Sequence, residues 1–189
     1  MKKKAEKILS FLNAIEPLKC IARHSWCSNG RHESVPEHTW RMALMAILLE
    51  DEFPEIDIKK VLAMCIIHDI GEINGDIPAF QKDENDDLNE ILELKKVIEV
   101  LPHEIESKII SLQKEFNSCQ TPEAKLANAL DKLEAIIQHN EADISTWDDI
   151  EYDLNLTYGQ AYTDYHPFLK ILRGLIKQAT INKIQLHCK

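Results

Sequence analysis

The chain has 189 residues, of which 44% are hydrophobic and 29% charged, a composition typical of one folded domain that excludes a disordered chain. Asp and Glu number 32 against 22 Lys and Arg, which gives a formal net charge of -10, and this charge repels a polyanion such as duplex DNA. We therefore expect no nucleic-acid polymer as a partner, and we expect any anionic ligand to be small and held locally.

Neither a membrane span nor a targeting segment is expected. The longest unbroken apolar run, 42–49, has eight residues, far fewer than the roughly 20 that cross a bilayer. The basic start is followed by polar residues where a signal peptide needs an apolar stretch. Five cysteines stand at scattered spacings without a C-x-x-C pair: Cys20, Cys27, Cys65, Cys119 and Cys188. This odd, irregular set favours free thiols in the reducing cytoplasm.

Helix signals recur along the chain, whereas strand signals are nearly absent. Ser34, Pro36 and Glu37 make a capping box with proline in the first turn, and proline again follows a polar residue at positions 121–122 and 166–167. The predicted helices span 2–15, 35–51, 57–70, 86–100, 102–117, 121–141, 145–163 and 166–184. The sequence therefore predicts an all-α protein with a single domain, 1–189, in which C-terminal helices at about 145–184 pack on a core at about 20–141.

Two of these helices bring polar side chains to apolar surroundings. In the helix at 35–51, His38 shares its face with three large apolar residues and so points inward. The helix at 57–70 is apolar on every side over 61–67, so it should be covered all round, and it ends in His68-Asp69. A buried, unpaired carboxylate costs several kcal/mol, so the aspartate needs a compensating partner.

The helix at 121–141 divides into three faces. One carries large apolar residues, and another carries alanines with Asp131 standing among them. Small residues let neighbouring backbone approach closely, so we expect Asp131 to be covered. The third face, which is expected to be exposed to water, carries Lys125, Asn128, Lys132 and His139.

Taken singly, His38 and His68 are expected to be core histidines with hydrogen-bonded rings. Their convergence with Asp69 and Asp131 on three buried helices favours a metal site, because two imidazoles and two carboxylates complete the inner shell of one divalent ion. Such a ligand set suits one divalent transition metal ion, Mn, Fe, Co, Ni or Zn.

The segments around these residues resemble the HD-domain phosphohydrolase superfamily and, within it, the 5'-deoxynucleotidases. The similar segments read R-x-E-S-V-x-E-H-T-W-R-M-A from Arg31 and H-D-x-x-E-x-x-G-D-I-P from His68. The resemblance implies a compact helical bundle with a buried metal between its helices. It also implies hydrolysis of deoxyribonucleoside 5'-monophosphates to the deoxynucleoside and phosphate. Together with aromatic residues late in the chain, it favours a homodimer built partly from the C-terminal helices.

The resemblance also implies roles for residues outside the ligand set. Glu72 matches the family's catalytic glutamate and, if its helix continues, projects near the metal, where it can exchange a proton with the nucleophile or the leaving 5'-oxygen. Arg23 matches the substrate-binding arginine and Arg31 a second basic position; both suit a phosphate, and both are equally compatible with rim salt bridges. Asp76 matches an acidic residue that contacts the sugar or the leaving group. His24 stands where the family often has an aromatic residue, which leaves the base preference open.

Two other functions remain open. The same metal site is compatible with hydrolysis of another nucleotide phosphoester, such as a nucleoside triphosphate or a guanosine polyphosphate, although few basic residues cluster near Arg23 and Arg31. A non-catalytic, metal-stabilised nucleotide-binding module is the alternative of a different class. Glu72 beside a full ligand set argues against it, because a structural ion needs no additional acid.

Overall fold

The computed structural model describes residues 1–187, except for the side chains at positions 84 and 87, and over this range the predicted all-α class is confirmed. The α-helices are α1 (Lys2–Ala14), α2 (Val35–Leu48), α3 (Ile58–Ile67), α4 (Glu84–Ile98), α5 (His103–Ser118), α6 (Pro122–Glu141), α7 (Glu151–Thr157), α8 (Gln160–Thr163) and α9 (Pro167–His187). Short 3-10 turns occupy Glu16–Cys20, Glu50–Glu52, Ile70–Asn74 and Ile144–Thr146. Cys188 lies outside the described residues.

The helix starts follow the capping signals. At the start of α2, the main-chain N–H of Ser34 donates to the Glu37 carboxylate over 2.9 Å. At the start of α6, the Thr121 hydroxyl accepts the N–H of Ala124 over 3.2 Å. Proline stands in the first turn of both helices, where its missing N–H costs no hydrogen bond.

Helix α6 runs through the main core. Its large apolar residues Leu126, Leu130 and Leu133 are fully buried against α2, α3 and α9. A second apolar cluster joins α1, α4 and the turn at Ile70–Asn74. No helix among residues 1–187 is long and apolar enough to cross a membrane.

Four local predictions were wrong. Two short antiparallel strands, β1 (Ala22–Trp26) and β2 (His32–Ser34), precede α2 where no strand was expected. The helix predicted at 57–70 ends at Ile67, and the chain continues as the 3-10 turn. The helix predicted at 145–163 is broken into α7 and α8, because Gly159 between them has a φ of 73°, outside the helical region. A side chain there would also lie 2.7 Å from Lys132 Cβ. Helix α3 is not covered on all sides, because Ile66 is 58% exposed.

Candidate metal centre

The structure brings the four predicted metal ligands together from α2, the end of α3 and α6. His38 Nε2 lies 3.2 Å from Asp131 Oδ1 and 3.9 Å from Asp69 Oδ2, and His68 Nε2 lies 3.0 Å from Asp69 Oδ1. His38 is fully buried, and the other three side chains are at most 13% exposed. One donor atom each of His38, His68 and Asp131 lies within 4.8 Å of the other two, and Asp69 contacts both histidines, so the four donor groups are of the type and proximity that hold one transition metal ion.

The hydrogen bonding of His68 fits a cation at this position. Its Nδ1 lies 3.0 Å from the carbonyl oxygen of Cys65, so the ring donates its proton there. Nε2 then carries a lone pair, and this buried atom has no hydrogen-bond partner although Asp69 is close. A lone pair facing carboxylate oxygens is repelled unless a cation lies between them, so the residues present fit a divalent metal ion.

Both carboxylates of this group stay ionised. Burial alone would raise the pKa of Asp69, but the guanidinium of Arg23 at 3.3 Å counteracts it, and the pKa lies below its usual value. For Asp131, the ammonium of Lys132 at 2.7 Å likewise counteracts burial, and the pKa lies well below the usual value. The group therefore presents two anionic ligands at neutral pH.

Glu134 is a residue of the centre that the sequence reasoning missed. Its buried carboxylate contacts Nδ1 of His38, and Arg41 Nε donates to its other oxygen over 2.6 Å. The signal was present, because Glu134 follows Asp131 by three residues on α6 and Arg41 follows His38 by three on α2, so each pair shares a helix face.

Glu72 lies in the same group, although α3 does not continue to it. The 3-10 turn at Ile70–Asn74 places its buried carboxylate 3.9 Å from Arg23 Nη1 and 3.7 Å from Lys82 Nζ. Burial, with the carboxylates of Asp69 and Asp76, raises the pKa of Glu72 to about 10. A carboxyl group that keeps its proton at neutral pH is suited to act as a general acid.

Arg23 and Asp76 join this group, whereas Arg31 does not. Arg23 Nη1 donates to Asp69 Oδ2 over 3.3 Å and lies 3.9 Å from Asp76 Oδ1. The guanidinium of Arg31 is 53% exposed, and both of its terminal nitrogens donate to the Glu37 carboxylate, over 2.8 and 2.5 Å. The structure therefore places Arg31 in a rim salt bridge beside the strand pair and away from the predicted ligands.

A cavity of about 140 Å³ opens beside the centre and is lined by Arg23, Asp69, Glu72, Asp76 and Asp131. A second cavity, of about 490 Å³, is lined by His68, Asp69 and Asp131 from the side of α5, but Arg23, Glu72 and Asp76 are absent from its wall. The smaller cavity therefore brings Glu72 and Arg23 together with two of the four predicted ligands, the carboxylates of Asp69 and Asp131.

The polar face of α6 was predicted correctly at Lys125, which is exposed, and wrongly at Asn128, Lys132 and His139. Asn128 is buried and donates to the carbonyl oxygen of Phe116 over 2.9 Å. Lys132 and His139 line the smaller cavity, and Lys132 Nζ lies 5.7 Å from the ring centre of Tyr158. Asn128 is covered by α5, and Lys132 lies beside the ring of Tyr162 on α8. His139 contacts Glu151 and Asn155 of α7. No pattern within α6 itself indicates these neighbours.

Comparisons with known proteins agree with this geometry. The family model described as HD domain matches residues 15–172. The 5'-deoxynucleotidase HDDC2 of Dictyostelium discoideum is 33% identical over 145 residues, which cover 70% of this chain and 76% of that protein. Its human counterpart is 30% identical over 154 residues, covering 78% and 72%.

Solved structures share the fold. A crystal structure of a predicted metal-dependent phosphohydrolase from Magnetospirillum magnetotacticum superposes with a TM-score of 0.80 at 24% identity, covering 96% of this chain and 94% of that one. A conserved hypothetical protein from Pyrococcus furiosus gives a TM-score of 0.69 at 29% identity, covering 90% and 98%. The helical arrangement around the centre thus recurs in these chains.

Proposed function

The chain belongs to the HD domain family, and from this premise we propose that it is a metal-dependent 5'-deoxynucleotidase that hydrolyses deoxyribonucleoside 5'-monophosphates to deoxynucleoside and phosphate. We take the whole chain as one such domain. The observation that carries the proposal is the buried group of His38, His68, Asp69 and Asp131, with the buried carboxyl group of Glu72 on the wall of the adjoining cavity.

The proposed ligands of the ion are His38, His68, Asp69 and Asp131. A divalent ion bound there lowers the pKa of a coordinated water and neutralises charge on the phosphoryl oxygens. The donor set suits Mn, Fe, Co, Ni or Zn.

The chain's own groups supply the remaining chemistry. Arg23 presents a guanidinium to the cavity and binds the phosphate oxygens, with Lys132 as a second cation on the same wall. Glu72 holds a proton that it donates to the leaving 5'-oxygen, so the deoxynucleoside departs neutral. Asp76, fixed by the main-chain N–H of His24 at 3.2 Å, faces the cavity as the acceptor for a sugar hydroxyl. Arg31 has no part in this proposal, because Glu37 binds its guanidinium.

The charge balance of the cavity favours a monophosphate over a nucleoside triphosphate or a guanosine polyphosphate. Arg23 faces the carboxylates of Asp69 and Asp76 within 3.9 Å, and Lys132 is paired with Asp131 at 2.7 Å. These cations are largely balanced before substrate binds, so a long polyphosphate would add charge that they do not offset.

We further propose a homodimer in the cytoplasm. Large apolar side chains lie exposed on α2 and α9, among them Trp40 at 63%, Leu48 at 72%, Ile171 at 64% and Leu175 at 65%. Contact between two copies would cover them. A mass of one chain by light scattering at micromolar concentration would contradict the dimer. The cysteines at 20, 27, 65 and 119 are unpaired, which supports a reducing compartment.

A metal-reconstitution screen tests the reaction. The protein is stripped with a chelator and reloaded with one metal at a time, and phosphate release is measured for the four deoxynucleoside monophosphates, their ribonucleotide counterparts, a triphosphate and a guanosine polyphosphate. We expect release from the deoxynucleoside monophosphates only with metal. Preferred hydrolysis of the triphosphate or the guanosine polyphosphate would contradict the proposed substrate and favour an HD-type hydrolase of those nucleotides. Nucleotide binding without any hydrolysis would favour the non-catalytic binding module.

A further inference from the structure

A second group of histidines and carboxylates lies at the edge of the same cavity. Three of its members line the cavity: His24 on β1, His139 near the end of α6 and Glu151 at the start of α7. The fourth, Asp148, stands just before α7. His24 Nε2 and His139 Nδ1 each lie 3.1 Å from Glu151 Oε1. His24 Nε2 also lies 3.9 Å from Asp148 Oδ2. The proposed hydrolysis assigns no role to these four side chains.

We propose that His24, Asp148 and Glu151 bind a second divalent transition metal ion, with His139 as a fourth ligand. One donor atom from each of the first three residues lies within 4.8 Å of the other two. Metal–ligand bonds of about 2.0–2.2 Å place ligand atoms some 3–4 Å apart, which matches the 3.1 and 3.9 Å separations from His24. Imidazole combined with carboxylate selects Zn, Ni, Co or Mn over Ca or Mg.

His139 approaches the same carboxylate from a second element. Its Nδ1 lies 3.1 Å from Glu151 Oε1 and 3.3 Å from the side-chain amide nitrogen of Asn155. The imidazoles of His24 on β1 and His139 on α6 therefore both lie against one oxygen of Glu151.

The site is held in place before any ion binds. Glu151 is buried, and its Oε2 accepts the main-chain N–H of Asp148 over 2.8 Å, which keeps both carboxylates close to His24. The His24 ring packs edge-on against Phe80 at 5.6 Å between ring centres. Asp148 is 55% exposed, so an ion can enter from solvent and keep a position for water.

Protons alone are the competing occupant. The hydrogen bond to Glu151 raises the pKa of His24, so an imidazolium paired with this carboxylate would also balance the group. The two possibilities differ in stoichiometry. Because the two ligand sets share no residue, an ion at this site adds to the ion at the first centre and persists when the first centre is removed.

Counting bound zinc tests the proposal. Chelator-treated protein is equilibrated with Zn²⁺, separated from free ion by gel filtration, and analysed for zinc per chain by mass spectrometry. We expect two ions in the wild type and one in His24→Ala and in Asp148→Asn. The latter alters an exposed side chain and should fold normally. Asp149→Asn, a neighbouring exposed carboxylate, is the matched control and should keep two.

His68→Ala removes the ion of the first centre and so isolates the second site. This variant should retain one ion, and adding Asp148→Asn should remove it. Titration calorimetry compares His68→Ala with the double variant that also carries Asp148→Asn. The affinity for Zn²⁺ should be lower in the double variant by about 10- to 100-fold or more, the loss typical of a perturbed metal site. A single ion in the wild type, or two ions in both His24→Ala and Asp148→Asn, would overturn the second site. Neither result would affect the first centre or the proposed hydrolysis.

Discussion

The carboxylate of Glu134 contacts Nδ1 of His38, the ring nitrogen opposite the one that lies 3.2 Å from Asp131. Both side chains are fully buried, and Arg41 donates to the second oxygen of Glu134. This contact fixes the orientation of the imidazole and keeps the proton on Nδ1, so that Nε2 presents its lone pair to the ligand group. Glu134 is therefore a positioning residue for a predicted ligand.

Glu134→Gln is expected to weaken metal binding while the chain still folds, because glutamine keeps the shape but loses the charge behind the imidazole. The affinity of the first ion should fall by about 10- to 100-fold, measured by metal titration, and excess metal should restore most of the activity. Glu141→Gln removes an exposed partner of the same Arg41 and serves as the control. Equal affinities in the two variants would contradict the positioning role.

Mutation should distinguish the two arginines that the sequence analysis assigned to phosphate binding. Arg23→Ala removes a charged hydrogen-bond donor from the cavity, which is worth about 1.5–3 kcal/mol, or roughly 10- to 150-fold in kcat/KM. Arg31→Ala breaks the rim pair with Glu37 and a hydrogen bond to the carbonyl oxygen of His32, and it should leave kcat/KM near the wild-type value. Steady-state phosphate release measures both. A similar loss of kcat/KM in the two variants would show that Arg31 also contributes to phosphate binding.

Glu33 should make stability depend on pH. Burial, together with nearby Glu134, raises its pKa from 4.5 to about 7. Between these values the folded chain holds a proton that the unfolded chain has lost, so this contribution to stability falls as the pH rises. Glutamine at position 33 cannot ionise. The free energy of unfolding of Glu33→Gln minus that of wild type should therefore be larger at pH 8 than at pH 5.

Urea denaturation at the two pH values measures this effect, with Glu55→Gln, an exposed glutamate, as the control. A difference in the free energy of unfolding between Glu33→Gln and wild type that stays constant from pH 5 to pH 8 would show that Glu33 does not titrate in this window.

Metal removal should lower thermal stability, because the first ion ties α2, α3 and α6 together. At an ion concentration 100-fold above the Kd, binding contributes about 2.7 kcal/mol, and a chelator abolishes this contribution. The melting temperature of wild type and of His103→Ala, an exposed histidine control, should therefore fall on chelation. In His68→Ala the fall should be smaller, because the contribution of the first ion is already absent, and a fall as large as that of wild type would argue against ligation by His68.

Helix periodicity made the positions of His38 and Asp131 predictable. Each lies on a helix whose face is decided by its immediate neighbours, and both are buried as expected. Glu72 reaches the centre through a 3-10 turn where the sequence pattern suggested a continuing helix. The turn packs against α4 so closely that a side chain at Gly71 would lie 2.3 Å from the carbonyl oxygen of Glu90. That contact is between distant parts of the chain and leaves no local signal.

Tertiary contacts also explain the residues that were misplaced. Lys132 and His139 look like surface residues along α6. They become cavity residues because Tyr162 of α8 lies beside Lys132, and Glu151 of α7 contacts His139. Arg31 looks like part of a phosphate clamp until the strand pair β1–β2 places its guanidinium beside Glu37. In each case the surroundings of the side chain depend on another element of the fold. Helix periodicity does not indicate how that element packs or, for the strand pair, that it exists.

The most direct test of the proposed hydrolysis is phosphate release from the four deoxynucleoside monophosphates by metal-loaded wild type and Glu72→Gln, side by side. Wild type should release phosphate. Glu72→Gln should keep its metal content and its nucleotide affinity, while turnover falls by a factor on the order of 10² to 10⁴, because only the proton transfer is lost. No release by wild type with any metal, or release by Glu72→Gln at the wild-type rate, would contradict hydrolysis at this centre with Glu72 as the acid.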